Sequence, residues 1–404
     1  MPAPQTPPAA LPWSVVGFGF LALALAFSAR ATLGLVMPVW EQELGWSRSF
    51  VSGAAATALL VMAAVAPVAG RLTDRHGVRR TLALGLACLG TGCLIVAANS
   101  HALVFLLAFS GLSAVGFGIV ATHVVSTAIA RLFTRNRGLA TGIATSGATG
   151  GQFLIVPLVA ILLTALSWRW SFFAIGLGCL LLIPLLWRAL AAQTAPASTE
   201  RAAASLRADL AAILGKPAFH ILFWSFLICG YTTSGVIETH FLPYAAFCGF
   251  GPVPSATAYG VLSAVNMLGM IGAGWLADRM NRVALLAAIY LLRGLTFVIL
   301  INVGAEYEML MLFALLFGAV DYATVPVTAS LVASHLGLRV MGLAMGLIAA
   351  GHAIGAALGA FMGGYLFDLG QHYDGLWLGS LALAFGAGLM VLLLRDRPAS
   401  PQVS

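Results

Sequence analysis

The chain has 404 residues, of which 61% are hydrophobic and 8% are Asp, Glu, Lys or Arg. A water-soluble domain keeps roughly a quarter of its residues charged, so this composition excludes a soluble globular protein. The formal net charge of +7 comes without a clustered basic stripe interleaved with aromatics, which excludes a nucleic-acid surface.

Apolar runs of the length a bilayer requires, about 20 residues, follow one another along the whole chain. They fall at 13–38, 49–69, 81–98, 103–128, 138–162, 170–190, 218–243, 254–276, 283–302, 307–332, 340–366 and 375–394. Inside lipid, backbone polarity leaves only helices or closed barrels, and these runs are too long for barrel strands. The sequence therefore predicts an all-α membrane protein with twelve transmembrane helices. The first run has no small-residue cleavage site after a short apolar core, so it reads as a helix and not a secretion signal.

Arg30 lies in FSARATLG of the first helix, past its middle. A guanidinium there offers a planar, permanently charged fork to a carboxylate or phosphate. A salt bridge to another helix, or snorkelling toward the outer surface, would also accommodate it. Between the second and third helices runs GRLTDRHGVRR, Gly70–Arg80. Gly70 and Gly77 permit close approach and a tight turn. Asp74 can cap or ion-pair with a neighbouring helix end, while Arg75, Arg79 and Arg80 reach lipid headgroups. Asp74 and Arg75 are thus candidate gating residues; the plainer alternative is that the basic residues only anchor the loop. His123 adds a neutral donor and acceptor to helix four. Helix five contains TGIATSGATGGQ, Thr141–Gln152, whose glycines allow close helix packing.

Residues 191–216, rich in Ala, Ser and Thr, form a joint with a short amphipathic helix expected around Leu206–Leu214. Helix seven carries Glu238 and His240 in GVIETHFLPY. Two positions apart, they do not share a helical face unless the helix unwinds near Pro243. Glu238 is the stronger candidate proton carrier, since a carboxyl group in an apolar run can exchange its charge for a proton. His240 either closes the outer entrance or is a satisfied polar group. After helix eight, GWLADRMNR repeats the earlier loop, with Asp278 and Arg279 as a weaker second gating pair. The glycines that open the two copies, Gly70 and Gly274, are 204 residues apart.

A repeat on that scale predicts two pseudo-symmetric six-helix bundles, 1–190 and 218–404, joined by a cytoplasmic linker, 191–217. Arg293 in helix nine and Asp321 in helix ten could pair with each other. Asp321 is followed by Tyr322, Thr324 and Pro326, a polar, kinkable stretch suited to a cavity wall. His352 in helix eleven stands beside a close-packing stripe of Gly351, Gly355 and Gly359; it lines the route or bonds to another helix.

Sixteen of the twenty Lys and Arg residues fall on one side of this alternation; only Arg48 and Arg169 lie in opposite loops, with Arg30 and Arg293 inside helices. The positive-inside rule then puts both termini in the cytoplasm of an inner (plasma) membrane protein, with its basic side near anionic lipid. The five cysteines have no metal-finger spacing, and four read as small buried hydrophobes. His240, His352, Glu238 and Asp321 lack the tight spacing of a metal site, so neither a metal nor a cofactor is expected.

Gly70, Leu72, Asp74, Arg75, Gly77, Arg79 and Arg80 match, in place, the loop signature of the major facilitator superfamily, which this chain resembles over its whole length. The resemblance implies a solute site at the bilayer centre, between two halves that rock to alternate access. Trp46-Ser47-Arg48 resembles a loop of bacterial monocarboxylate and oxalate transporter relatives. Helix eight here lacks the arginine, and helix eleven the lysine, that such carriers use for their anion.

Charged groups deep in lipid each cost about 2–3 kcal/mol on an insertion scale, so Arg30, Glu238, Arg293 and Asp321 should face an interior or one another. Arg30, His123, Arg293, His352 and Tyr322 are the expected solute contacts, with Glu238 and Asp321 coupling protons. The expected function is proton-coupled secondary transport of a small organic solute, a carboxylate by preference, by a monomer. Carriage of a larger, partly aromatic metabolite or vitamin is the rival reading, and a non-transporting receptor or scaffold another. No nucleotide-binding loop and no spaced nucleophile and base occur, so neither ATP-driven pumping nor an enzyme is expected.

Overall fold

A computed structural model describes residues 13–190 and 205–396. The first described elements are α1 (Trp13–Glu43), α2 (Arg48–His76) and α3 (Val78–Ala98). Ser47 caps α2 by accepting from the Phe50 amide at 3.1 Å. Gly77, at φ 80°, is the single residue between α2 and α3, in a conformation that favours glycine. Next come α4 (Ala102–Leu132), α5 (Arg137–Thr145), α6 (Gly147–Ala165) and α7 (Trp168–Ala189). After residue 205 follow α8 (Leu206–Leu214), α9 (Pro217–Phe247), α10 (Pro252–Ala277), α11 (Arg282–Ile301), α12 (Tyr307–His335), α13 (Met341–Gly370) and α14 (Asp374–Val391).

Eleven of these helices are long and apolar enough to cross a bilayer, and no strand occurs among the described residues. The fifth expected crossing is made of two shorter helices, α5 and α6, which meet at Ser146. Helix ends also move: α1 runs past Pro38, whose missing amide removes one bond without ending the helix. Residues 191–204 of the expected linker lie outside the described residues; its short helix spans Leu206–Leu214.

Three helices depart from regular α geometry at mid-length. α4 contains a π-helical stretch, Leu106–Ser113, and then breaks at Val120 and Ala121, just before His123. α9 is π-helical over Tyr231–Ile237. α12 breaks between Asp321 and Ala323 and resumes at Thr324. Pro326 explains that last break, because its ring would clash with the carbonyl four residues earlier, that of Tyr322.

Most buried apolar residues from Val15 to Leu190 form one cluster, and most of those after residue 205 fall into two others, one of which also takes in Ala130. Contacts between the early and late segments gather at one end. There a Cβ built on Gly70 would lie 1.9 Å from the Gly342 carbonyl oxygen, and one on Gly138 would lie 2.2 Å from that of Gly274. Backbones this close admit only glycine, which fixes α2 against α13 and α5 against α10.

Candidate functional site

Above that closed end lies a cavity of about 130 Å³ between the early and late helices, lined by α1, α2, α4, α9, α12 and α13. One water needs about 10–15 Å³ measured this way, so the space suits a small solute. Its polar wall is Arg30, Thr122, His123, Ser234, Tyr322 and His352; Phe27, Phe117 and Phe226 supply aromatic surface.

The Arg30 guanidinium sits 5.3 Å from the Phe27 ring centre and makes no ion pair or hydrogen bond among the described residues. A permanent charge beside an apolar ring, without an ion pair among the described residues, keeps its capacity to bind a carboxylate or phosphate. His123 is buried beside the Ala66 backbone, and its Nε2 makes no hydrogen bond of normal geometry among the described residues. It stands at the restart of α4 after the break. His352 lies 5.1 Å from the Phe226 ring and 6.4 Å from that of Tyr322.

Tyr322 occupies the break in α12, which turns its side chain into the cavity wall. Its hydroxyl donates to Glu238 Oε1 at 2.7 Å, so at 2.8 Å it accepts from the Ser234 hydroxyl. Glu238, expected to be buried, is instead exposed and does not itself line the cavity; it reaches the wall through Tyr322. His240 faces elsewhere: its Nε2 donates to the Ala360 carbonyl at 2.9 Å.

Arg293, expected to touch the solute, does not line the cavity. It is fully buried; Nη1 donates to Cys229 Sγ at 3.1 Å and Nη2 to the carbonyls of Val320 and Asp321. Those carbonyls lie at the break in α12, where helical partners are lost. Arg293 therefore fills a defect in the fold. Its expected pairing with the Asp321 carboxylate is replaced by these backbone contacts. Asp321 Oδ2 instead accepts from Asn266 at 2.7 Å.

The closed end carries two matching carboxylate contacts. Asp74 accepts from the amides of Gly342 and Leu343, at 2.9 and 2.8 Å, at the start of α13. Asp278 accepts from those of Gly138 and Leu139, at 2.7 and 2.8 Å, at the start of α5. Each acid sits on the positive end of a helix across the divide. The acids are 204 residues apart, and so are their partners. Asp74 also pairs with Arg131, which donates to the Leu338 carbonyl at 3.2 Å. Arg75 lies on the last turn of α2, whereas Arg279, in the turn just after α10, bonds back to the Trp275 carbonyl and stacks on its ring. Asp209 on α8 contacts Arg339 at 2.5 Å and Arg71 at 3.7 Å.

Sequence reasoning missed Ser234, Asn266, Cys229, Arg131 and Asp209 as members of these networks. None carried a local signal, since each partner is distant in the chain.

The family described as Major Facilitator Superfamily matches residues 19–303 and 273–404. Monocarboxylate transporter 11 of Mus musculus is 28% identical over 69% of this chain and 62% of its own length, so just under two thirds of that relative is spanned. The gallate transporter of Pseudomonas putida is 28% identical over 75% of this chain and 74% of its own. In fold, the proton:xylose symporter XylE superposes with a TM-score of 0.76 at 14% identity, over 95% of each chain. The human organic anion transporter MFSD10 gives 0.75 at 18%, over 96% of this chain and 100% of that one. The fold is that of secondary transporters and not of a catalytic protein. By the family match over nearly its whole length, this chain is a multi-pass membrane protein of the Major Facilitator Superfamily.

Proposed function

We propose that the protein carries a small organic anion across the membrane, coupled to protons, by alternating access. In this reading the chain makes twelve crossings in two six-helix halves, 1–190 and 218–404, joined by 191–217. The unpaired Arg30 guanidinium in the cavity wall carries the proposal, since a solute carboxylate is the group that would complete it. His123, His352 and Tyr322 orient the rest of the solute. The rings of Phe27, Phe117 and Phe226 favour a carboxylate with an apolar or aromatic body. The names of the mouse and Pseudomonas relatives agree with an anionic cargo.

Glu238 is the proton carrier that communicates with the cavity, through the Tyr322 hydroxyl. Arg71, Arg75, Arg79, Arg80, Arg131, Arg135 and Arg137 lie at or near the closed end, so the positive-inside rule makes that end cytoplasmic. The conformation is then one closed to the cytoplasm, held by Asp74 and Asp278, with the solute entering from the opposite side. Counterflow in proteoliposomes with a panel of labelled aliphatic and aromatic acids tests the reading. Saturable exchange of at least one acid, lost in Arg30→Gln, is the expected result. Exchange of neutral sugars only, or unchanged anion exchange in Arg30→Gln, would refute it.

A further inference from the structure

Behind the cavity wall lies a second polar cluster, sealed from solvent. Arg293 is 0% exposed, Cys229 1%, Asn266 2%, Asp321 3% and Thr324 0%. Two buried atoms there, Asp321 Oδ1 and Arg293 Nε, have no hydrogen-bond partner among the described residues. Arg293 cannot give up its charge, and an isolated charge in an apolar interior is costly unless another compensates it. The carbonyls of Val320 and Asp321 supply dipoles but no net charge. Two nearby acids can supply one: the Cys229 thiol, 3.1 Å from Nη1, and the Asp321 carboxyl on the helix that Arg293 braces.

Neither acid is solvated as a lone anion would be. Asp321 has one amide donor, Asn266 Nδ2. Cys229 Sγ has the guanidinium, the Thr324 hydroxyl at 3.3 Å and the His352 ring as neighbours, and 3.1 Å is short for a sulfur acceptor. If both acids were neutral, Arg293 would be left uncompensated; if both were ionised, a net negative charge would be buried. One proton on the pair balances the site.

The neighbouring groups do not take over this task. Tyr290 on α11 spends its hydroxyl on the Ser225 carbonyl at 2.8 Å, and Tyr322 donates to Glu238. Glu238 on α9 belongs to the cavity wall network, and His352 on α13, which lines the cavity and reaches the Cys229 thiol, is neutral or cationic and so supplies no negative charge.

We infer that Cys229 and Asp321 form a buried proton-binding site in which they share one proton beside the fixed cation Arg293. The site adjoins the cavity: the Tyr322 amide donates to Asn266 Oδ1 at 3.2 Å, and Asn266 donates to Asp321. A change at the break in α12 would therefore be felt by both solute wall and proton. The inference rests on the proposed transport only for its use in coupling; its charge state stands by itself.

Infrared spectroscopy of the purified full-length protein, without solute, tests it directly. In a form keeping Cys229 but with Cys88, Cys93, Cys179 and Cys248 replaced by Ala, the S–H stretch reports neutral thiol and the carboxylic-acid C=O stretch reports neutral Asp321. Bands are assigned by difference against Cys229→Ala and Asp321→Asn. At neutral pH the two populations should sum to one proton, and in Asp321→Asn the S–H band should vanish, returning on acidification. A full S–H band in Asp321→Asn at neutral pH overturns the inference. So does a pair carrying two protons or none.

Should Asp321→Asn not fold, Cys229→Ala serves alone: the Asp321 acid band must be missing at neutral pH, and its presence overturns the site. In proteoliposomes, Cys229→Ala should lose proton-driven accumulation while keeping exchange; unchanged accumulation would remove the site from coupling. If no variant, nor the parent, moves any solute while the infrared result holds, the transport reading fails and the proton site stands.

Discussion

A guanidinium held beside the Phe27 ring has already lost part of its hydration, so an arriving carboxylate recovers more energy there than at the surface. Hydrogen bonds to charged groups contribute about 1.5–3 kcal/mol, and 1.4 kcal/mol is a factor of ten in affinity. Arg30→Gln should therefore weaken anion binding by roughly 10- to 100-fold, read as the shift in thermal stabilisation by a transported acid. Stability without solute should hold, because Arg30 makes no ion pair within the described fold. Glu238→Gln should abolish proton-driven accumulation and spare counterflow; equal loss of both would assign Glu238 to solute binding instead. At this scale the sequence was informative about residue type and poor about direction. Arg30 and Arg293 both stand in apolar runs, yet one faces a cavity and the other braces a broken helix. Only the neighbours on other helices decide between those fates.

Among the elements, α2 with α13 and α5 with α10 meet through glycines, and an acid on one helix engages the start of the other. A methyl group at Gly342 would lie 2.2 Å from the Gly70 carbonyl oxygen and 2.7 Å from Asp74 Oδ1, so the helices would have to part. Gly342→Ala should deplete this conformer while leaving the chain folded. Spin labels at positions 76 and 280, on opposite halves of the same end, should report a longer distance. Asp74→Asn should act in the same sense. Losing charge-assisted contacts worth about 1.5–3 kcal/mol would shift the equilibrium by roughly 10- to 100-fold. Asp278→Asn should do less, because Asp74 has the Arg131 ion pair in addition to its amides.

The loop motifs at Gly70 and Gly274 were legible because loop residues and spacing repeat in the chain itself. Arg131 was not, lying 57 residues from Asp74 with nothing local to mark it. The breaks in α4 and α12 were half legible. Pro326 announced one, while Val120 and Ala121 carry no breaker, so tertiary packing must impose the other.

For the molecule as a whole, hydropathy and the alternation of basic residues carried the membrane fold, because lipid imposes one solvent rule on every crossing. The same one-sidedness predicts orientation. A fluorescent protein fused at the C-terminus should mature in the cytoplasm, and alkaline phosphatase fused there should be silent; an active phosphatase would invert the arrangement. Helix ends were less legible, since tilt and bending leave the last turns to local caps such as Ser47 and Asn281.

The carboxylates at the closed end take their amide bonds from main chain, at Gly342 and Leu343 and at Gly138 and Leu139. Main-chain donors persist through every substitution except proline, so a lesion at Asp74 or Asp278 offers no reciprocal swap at those positions. Revertants selected from such lesions should map away from the amide sites, to residues that weaken the competing open form.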